Sequence, residues 1–454
     1  MGSGAALAVI AASLPASAGD IDDMRAQIQA LQDKIAKIEV QEQRRVAPAA
    51  AVEAGSKPKS WKLPGTNTSM NIGGFAILQF DYDVNGVSSY GPANAPVDGT
   101  ANANRQGNFD MSARQSRFFI STSTPTDWGD LVTHIEIDAN GSGPSSTGNK
   151  PQYSNGQGAA LRLRKAYGML GPVLAGMETT TFFVPGAGER TDVATPFVGG
   201  SAFRLGMVRY THSFGGGTML RIGIEDPIGI NETAANAGVL ALNGSTKPAG
   251  TAVSGTGSSL DEVPTFVGQL SHAWSSGSAG VSFMARKITV DDGNALNDST
   301  ISWGVGYGAG WIINKQFRIG AQGIYGKAMG MYSGGSPVLV TSTGSTPNTF
   351  SIDGVTTYGG SAFIQWRFTD TMRTNILYGR EQYGYDGAKS DLTAGSPVAA
   401  GNPVNYTQQI AANIMWQPVP AVNIGLQYMY TIASINNSPN AKQSRLELAF
   451  RYSF

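Results

Sequence analysis

The sequence predicts an all-β membrane barrel of about sixteen antiparallel transmembrane strands, preceded by a short N-terminal α-helical coiled coil. Three observations lead there. The first is period-two amphipathy. In Arg445–Phe454, Leu446, Leu448, Phe450, Tyr452 and Phe454 share one parity, while Arg445, Glu447, Arg451 and Ser453 share the other. Alternate side chains of a strand face opposite sides, so this strand has one oily, aromatic face and one charged face. The second is a strict alternation of short turns with long connections, the layout of bacterial barrels with short turns in the periplasm and long loops outside. The third is the collection of aromatics near strand ends: Trp128, Trp274, Trp303, Trp311, Trp366, Trp416, Tyr428 and Tyr430. Such girdles anchor a barrel at the lipid–water boundary.

Composition excludes other classes. The chain has 454 residues, 41% of them hydrophobic, but no run of about 18 apolar residues that would span as a helix. Lysines and arginines number 32, aspartates and glutamates 32, so no excess of positive charge points to nucleic acid. There is no cysteine. That removes thiol chemistry and fits a chain that crosses an oxidising periplasm unfolded.

Ala5–Ala18 reads as an apolar stretch ending in the small-residue cleavage site Ala16-Ser17-Ala18, a secretory signal over residues 1–18, although Met1–Gly4 lacks the usual positive charge. Residues 19–45 form a coiled-coil helix. Ile21, Met24, Ile28, Leu31, Ile35 and Ile38 follow a three-four spacing, and Asp20, Asp22 and Asp23 favour the helix start. Isoleucine at each a position leans toward three strands, hence a homotrimer. A helix this short is marginal alone. Residues 46–68 are a Pro/Ala/Lys linker, expected to be extended.

Residues 69–454 are the expected barrel. The strands fall near Met70–Tyr82, Asp110–Ser123, Gly129–Ala139, Ala159–Leu170, Val173–Phe183, Ala202–Ser213, Thr218–Glu225 and Pro264–Trp274. They continue near Gly280–Thr289, Thr300–Ile312, Gln316–Ala328, Val355–Phe368, Thr371–Tyr383, Asn405–Trp416, Ala421–Ile432 and Gln443–Phe454. Short turns such as Gly171-Pro172, Gly215-Gly216-Gly217 and Pro418-Val419-Pro420 join alternate pairs. An even strand count places both barrel ends, and the helix, on the periplasmic side of an outer membrane.

The polar parity faces the lumen. It carries Arg162, Arg164, Arg204, Arg221, Arg318, Arg367, Arg373, Arg445 and Arg451 against the acids Glu136, Asp138, Glu178, Glu225, Glu381 and Glu447. Arg114 and Arg117 differ in parity, so at least one belongs to a loop, a bulge or a subunit interface. Fixed guanidinium groups in a narrow aqueous channel concentrate anions, and each grips a carboxylate with two parallel hydrogen bonds. The opposing possibility is that these arginines only pair with lumen acids. The connection Val184–Ser201 carries Glu189, Arg190 and Asp192 between glycines. It is expected to fold inward as a constriction, since barrels of this size otherwise leave an open channel.

Catalytic chemistry is missing from the pattern. His134, His212 and His272 make no metal-ligand spacing, and no nucleophile elbow or phosphate-binding loop stands in strand–helix context. The expectation is no enzyme, no cofactor and no metal.

Arg114-Gln115-Ser116-Arg117-Phe118, Ser123–Leu131, Leu161-Arg162-Leu163-Arg164-Lys165-Ala166-Tyr167-Gly168 and Gly223-Ile224-Glu225-Asp226-Pro227 resemble the DcaP-like outer-membrane porins. So does a coiled coil ahead of the barrel. The resemblance implies a sixteen-stranded homotrimeric barrel taking up small negatively charged solutes, dicarboxylates and aromatic carboxylates among them, with Arg114, Arg117, Arg162 and Arg164 at the matching positions. The external loops match poorly, so the substrate does not carry over. The expected function is an anion-preferring channel for passive uptake, with outer-membrane lipid and small anions as partners. The alternatives are a general or sugar-selective porin, with Asn405, Gln409 and Gln427 selecting, and a non-transport barrel that anchors surface loops.

Overall fold

The computed structural model describes residues 18–45, 52–86, 105–141, 160–190, 198–200, 203–227, 240–241, 259–291, 297–333, 338–342, 350–384, 404–435 and 439–454. It divides into two units, residues 1–54 and 55–454.

The first unit holds one helix, α1 (Ala18–Arg45). Within this single chain the stripe residues Ile28, Leu31, Ile35 and Ile38 are each between 54% and 58% exposed. The signal segment and the side chains of Ile21 and Met24 lie outside the described residues.

The second unit is a closed barrel of sixteen antiparallel strands. In chain order the first eight are β1 (Ser69–Asn85), β2 (Asn108–Ser112 and Arg117–Thr126), β3 (Gly129–Gly141), β4 (Ala160–Leu170), β5 (Val173–Thr179), β6 (Arg204–Gly215), β7 (Thr218–Glu225) and β8 (Thr265–Trp274). The rest are β9 (Gly277–Asp291), β10 (Asn297–Ile312), β11 (Phe317–Lys327), β12 (Thr356–Arg367), β13 (Met372–Gly384), β14 (Val404–Trp416), β15 (Val422–Ile435) and β16 (Ala441–Ser453). Each pairs with the next in sequence, and β16 returns to β1, with Leu78 opposite Phe450 and Asp81 opposite Glu447. Closure leaves no free edge, as a lipid-embedded sheet requires.

Burial follows parity, but inside out relative to a soluble protein. In β14, Gln409 and Asn413 are 0% and 3% exposed, whereas Ile414 and Trp416 are 51% and 45% exposed. Polar groups bury their hydrogen bonds inside, and the apolar face meets hydrocarbon. Residues 55–68, the second half of the expected linker, pack on the short-turn end. Trp61 and Lys62 pair with Met70 and Ser69, and Lys57 Nζ reaches Asp130 at 3.1 Å.

Two strands depart from the expected extents. β2 is interrupted at Ala113–Ser116, where Ser116 N donates to Ala113 O in a tight turn. Arg114 falls in this break and Arg117 opens the second segment, which accounts for their unequal parity. β5, expected to reach Phe183, stops at Thr179 because the chain then turns into the barrel.

Candidate functional site: the lumen wall and the inward segment

The segment after β5 runs along the inner wall. Thr180 Oγ1 and Thr181 N donate to the Glu225 carboxylate at 2.8 and 2.6 Å, and Tyr332 Oη donates to it at 2.8 Å. Gln269 Nε2 donates to Thr181 O at 3.1 Å, and Ser282 Oγ to Phe182 O at 2.7 Å. Farther along, the Glu189 carboxylate accepts a two-pronged grip from Arg373. Gln365 Nε2 donates to the same carboxylate at 3.1 Å, and Asn413 Nδ2 to Glu189 O at 2.9 Å. The returning stretch is tied by Val198 N to Gln409 Oε1 and Gly199 N to Glu381 Oε2. Glu189 therefore lies inside the barrel, with Arg190 beside it; Asp192 lies outside the described residues.

The wall beneath is shaped for this segment. In β10 the inward positions are Gly304, Gly306, Gly308 and Gly310, between outward Trp303, Val305, Tyr307, Ala309 and Trp311. A Cβ on Gly308 would stand 1.8 Å from Pro185 O, and one on Gly306 would stand 3.3 Å from the Phe182 ring. Backbone approaches this close only where side chains are absent. The alternating run Trp303-Gly304-Val305-Gly306-Tyr307-Gly308-Ala309-Gly310-Trp311 thus encodes the docking track, a signal that charge-based reasoning passes over. Beside it Phe182, Val267, Met284, Ile324, Met329 and Tyr332 form a buried apolar cluster within the barrel.

The charged lumen residues fall into two groups. On the wall of β2 to β4, cations and acids interlock. Arg162 binds Asp138 with both prongs, at 3.0 and 2.6 Å. Arg164 reaches Glu136 and Asp138, each at 2.7 Å. Arg117 lies 3.5 Å from Glu136 and over the Phe75 ring, and Lys165 is 2.7 Å from Glu178. Arg114 is in the β2 break and donates to the carbonyls of Ala139 and Gly141 at 3.3 and 2.6 Å. Near the β1–β16 seam, Arg445 binds Asp83 at 2.8 Å and is buried.

The second group forms no ion pair among the described residues. Arg221 Nη1 donates to Gln269 Oε1 at 2.7 Å and Ser271 Oγ at 3.0 Å. Arg318 is exposed and lies over the Phe363 ring, 5.4 Å from its centroid. Arg209, on the inward parity of β6, has a buried Nε with no hydrogen-bond partner. Arg367 caps a short turn through Asp370 O.

Within β6, Arg209 faces the lumen, a position that the sequence reading passes over. Arg204, the first residue of the strand, shares the parity of Val208 and Tyr210, 48% and 43% exposed, yet is itself half-buried, with Arg164, Arg162, Arg117 and Glu136 as its charged neighbours. The inward face of β6 also carries apolar Leu205 and Met207, packed with Leu174 and, in part, Tyr167, Met169 and Phe203. With both faces apolar, alternation holds no sign of which one meets lipid. Two of the amides proposed for sugar selection are tied into the wall. Gln427 donates to Glu447 at 2.6 Å, and Gln409 to Thr431 at 3.2 Å. Asn405 sits at the β14 bulge.

A sealed antiparallel barrel, apolar outside and polar within, narrowed by an inward segment, is the architecture of an outer-membrane channel rather than of an enzyme. The family model of the Porin subfamily matches residues 61–451, and the chain belongs to that family. Its fold is similar to the outer membrane channel DcaP of Acinetobacter baumannii. That comparison has TM-score 0.67 and 19% identity, covering 88% of this chain and all (100%) of that one. OmpT of Vibrio cholerae aligns at TM-score 0.49 and 8% identity, covering 85% of this chain and 98% of that one. OprB of Pseudomonas putida aligns at TM-score 0.47 and 10% identity, covering 85% and 94%. No curated protein sequence matches significantly.

Proposed function

We propose that this outer-membrane porin conducts small anions in preference to cations and serves passive uptake of carboxylates. The observation that carries this reading is an asymmetry in how the two signs of charge meet the lumen. Asp83, Asp138, Glu225, Glu381 and Glu447 are each no more than 2% exposed, and hydrogen bonds from Arg162 and Arg164 to Asp138 and from Thr180 and Thr181 to Glu225 tie these two into the wall. Arg318 is exposed, Arg209 and Arg221 are half-buried, and none of the three is paired with a carboxylate among the described residues. Among these described lumen-wall groups the unpaired charge is therefore positive, although the chain is neutral overall. In a narrow pore that excess concentrates anions, and guanidinium suits the planar carboxylate.

A planar-bilayer reversal potential in a potassium chloride gradient tests it. The expected sign is that of chloride permeating faster than potassium; the opposite sign refutes the proposal.

The porin assembles as a homotrimer in this reading, with α1 in the periplasm. The support is the exposed stripe of Ile28, Leu31, Ile35 and Ile38 and the isoleucine-rich a positions.

A further inference from the structure

We infer that a cavity under the inward segment is a second anion site, on the short-turn side of the constriction, which holds the carboxylate of an amphipathic anion such as an aromatic acid. The inference rests on the anion-channel reading and adds to it a location, a sidedness and a ligand shape.

The cavity measures about 470 Å³. Its roof is Thr180, Thr181, Phe183 and Pro185, and its floor reaches the short turns at Gly217 and Ala273. Arg209 and Arg221 enter from adjacent strands. Thr211 pairs with Arg221, and Arg209 with Gly223, so the two arginines are diagonal neighbours on the inner face. Two like charges so placed repel unless an anion lies between them. Among the lining residues the one carboxylate is Glu178, already held by Lys165 at 2.7 Å and by Thr179 N at 2.6 Å. Arg221 spends its described hydrogen bonds on Gln269, Ser271 and the Met219 sulfur, which fixes it without neutralising it. The buried Arg209 Nε has no acceptor. A carboxylate supplies what is missing: two acceptor oxygens and one negative charge. Phe183, Pro185 and Met219 supply an apolar surface for the rest of the solute. Because the roof separates this cavity from the long-loop side, an anion arriving from the short-turn side reaches it first.

The test uses the full-length protein in a planar bilayer of known orientation, with sodium benzoate added to one side at a time. Benzoate is expected to interrupt the current, with a lower half-blocking concentration from the short-turn side. Neutral benzamide is expected to do nothing. Arg209→Gln should raise the half-blocking concentration about tenfold or more, the cost of one charged hydrogen-bonding partner. Met219→Glu, a second and independent variant, places an internal carboxylate against Arg221 and should abolish block. Equal block in parent and both variants overturns the site, while the anion preference in potassium chloride can still stand. A cation-preferring parent without benzoate block overturns both readings.

Discussion

The wall of β2 to β4 and the wall of β6 to β8 both present arginines to the lumen, but to opposite effect. On the first, Arg162 and Arg164 interlock with Glu136 and Asp138, two charges of each sign within a few ångströms, and Arg117 joins them 3.5 Å from Glu136. On the second, Arg209 and Arg221 have amide, hydroxyl or no partners. The density of arginines in a strand therefore says little about the field in the pore; what matters is whether the neighbouring strand supplies an acid in register. Leu161-Arg162-Leu163-Arg164 is the conspicuous motif, yet it is the one whose charge is spent on the wall. An interlocked cluster is rigid, and removing one member strands the others.

The largest expected effect follows from that difference. Asp138→Asn leaves Arg162 and Arg164 without their shared carboxylate and should destabilise the barrel by about 3–5 kcal/mol, measured as the denaturant midpoint in detergent. Arg209→Gln, on the other wall, should stay within about 0.5 kcal/mol of the parent. Equal losses in both variants would erase the distinction between the walls.

Selectivity gives the second comparison. The double change Arg209→Gln with Arg221→Gln should lower the chloride-to-potassium permeability ratio several-fold. Neutralising the four interlocked groups with Glu136→Gln, Asp138→Asn, Arg162→Gln and Arg164→Gln together should leave that ratio near the parent value, because two cations and two anions go at once. A larger shift from the fourfold variant would assign the field to the paired wall.

The tether of the inward segment ranks third. Glu189→Ala removes the grip of Arg373 and the Gln365 bond, about 1.5–3 kcal/mol for a hydrogen bond to a charged group. Single-channel conductance and current noise should both rise; an unchanged record would mean the other ties suffice. The smallest effect on conduction belongs to α1. Ile28→Asp with Ile35→Asp should shift the oligomer toward monomers on native gels and leave the conductance per pore alone, since these residues stand outside the barrel unit.

Much of this molecule was legible along the chain. Alternation in β14 to β16 fixed which side chains meet lipid, because those inner faces are continuously polar: Gln409, Asn413, Gln427, Glu447 and Arg445. The unequal parity of Arg114 and Arg117 left a loop, a bulge or a subunit interface open, and Arg114 falls in the break of β2. Alternation was silent in β6, where the lumen is packed with Leu205 and Met207 and both faces read alike. It also misjudged the end of β5, because Thr180–Phe183 satisfies its polar groups on Glu225, Gln269 and Ser282 rather than on a neighbouring strand.

The sequence alone determined the barrel and its strand order, since these depend on local periodicity and on turn residues, which act over a few positions. Tertiary structure alone decided which arginines are paired with an acid. That depends on cross-strand register, and a displacement of one residue between neighbouring strands would move every acid away from its arginine.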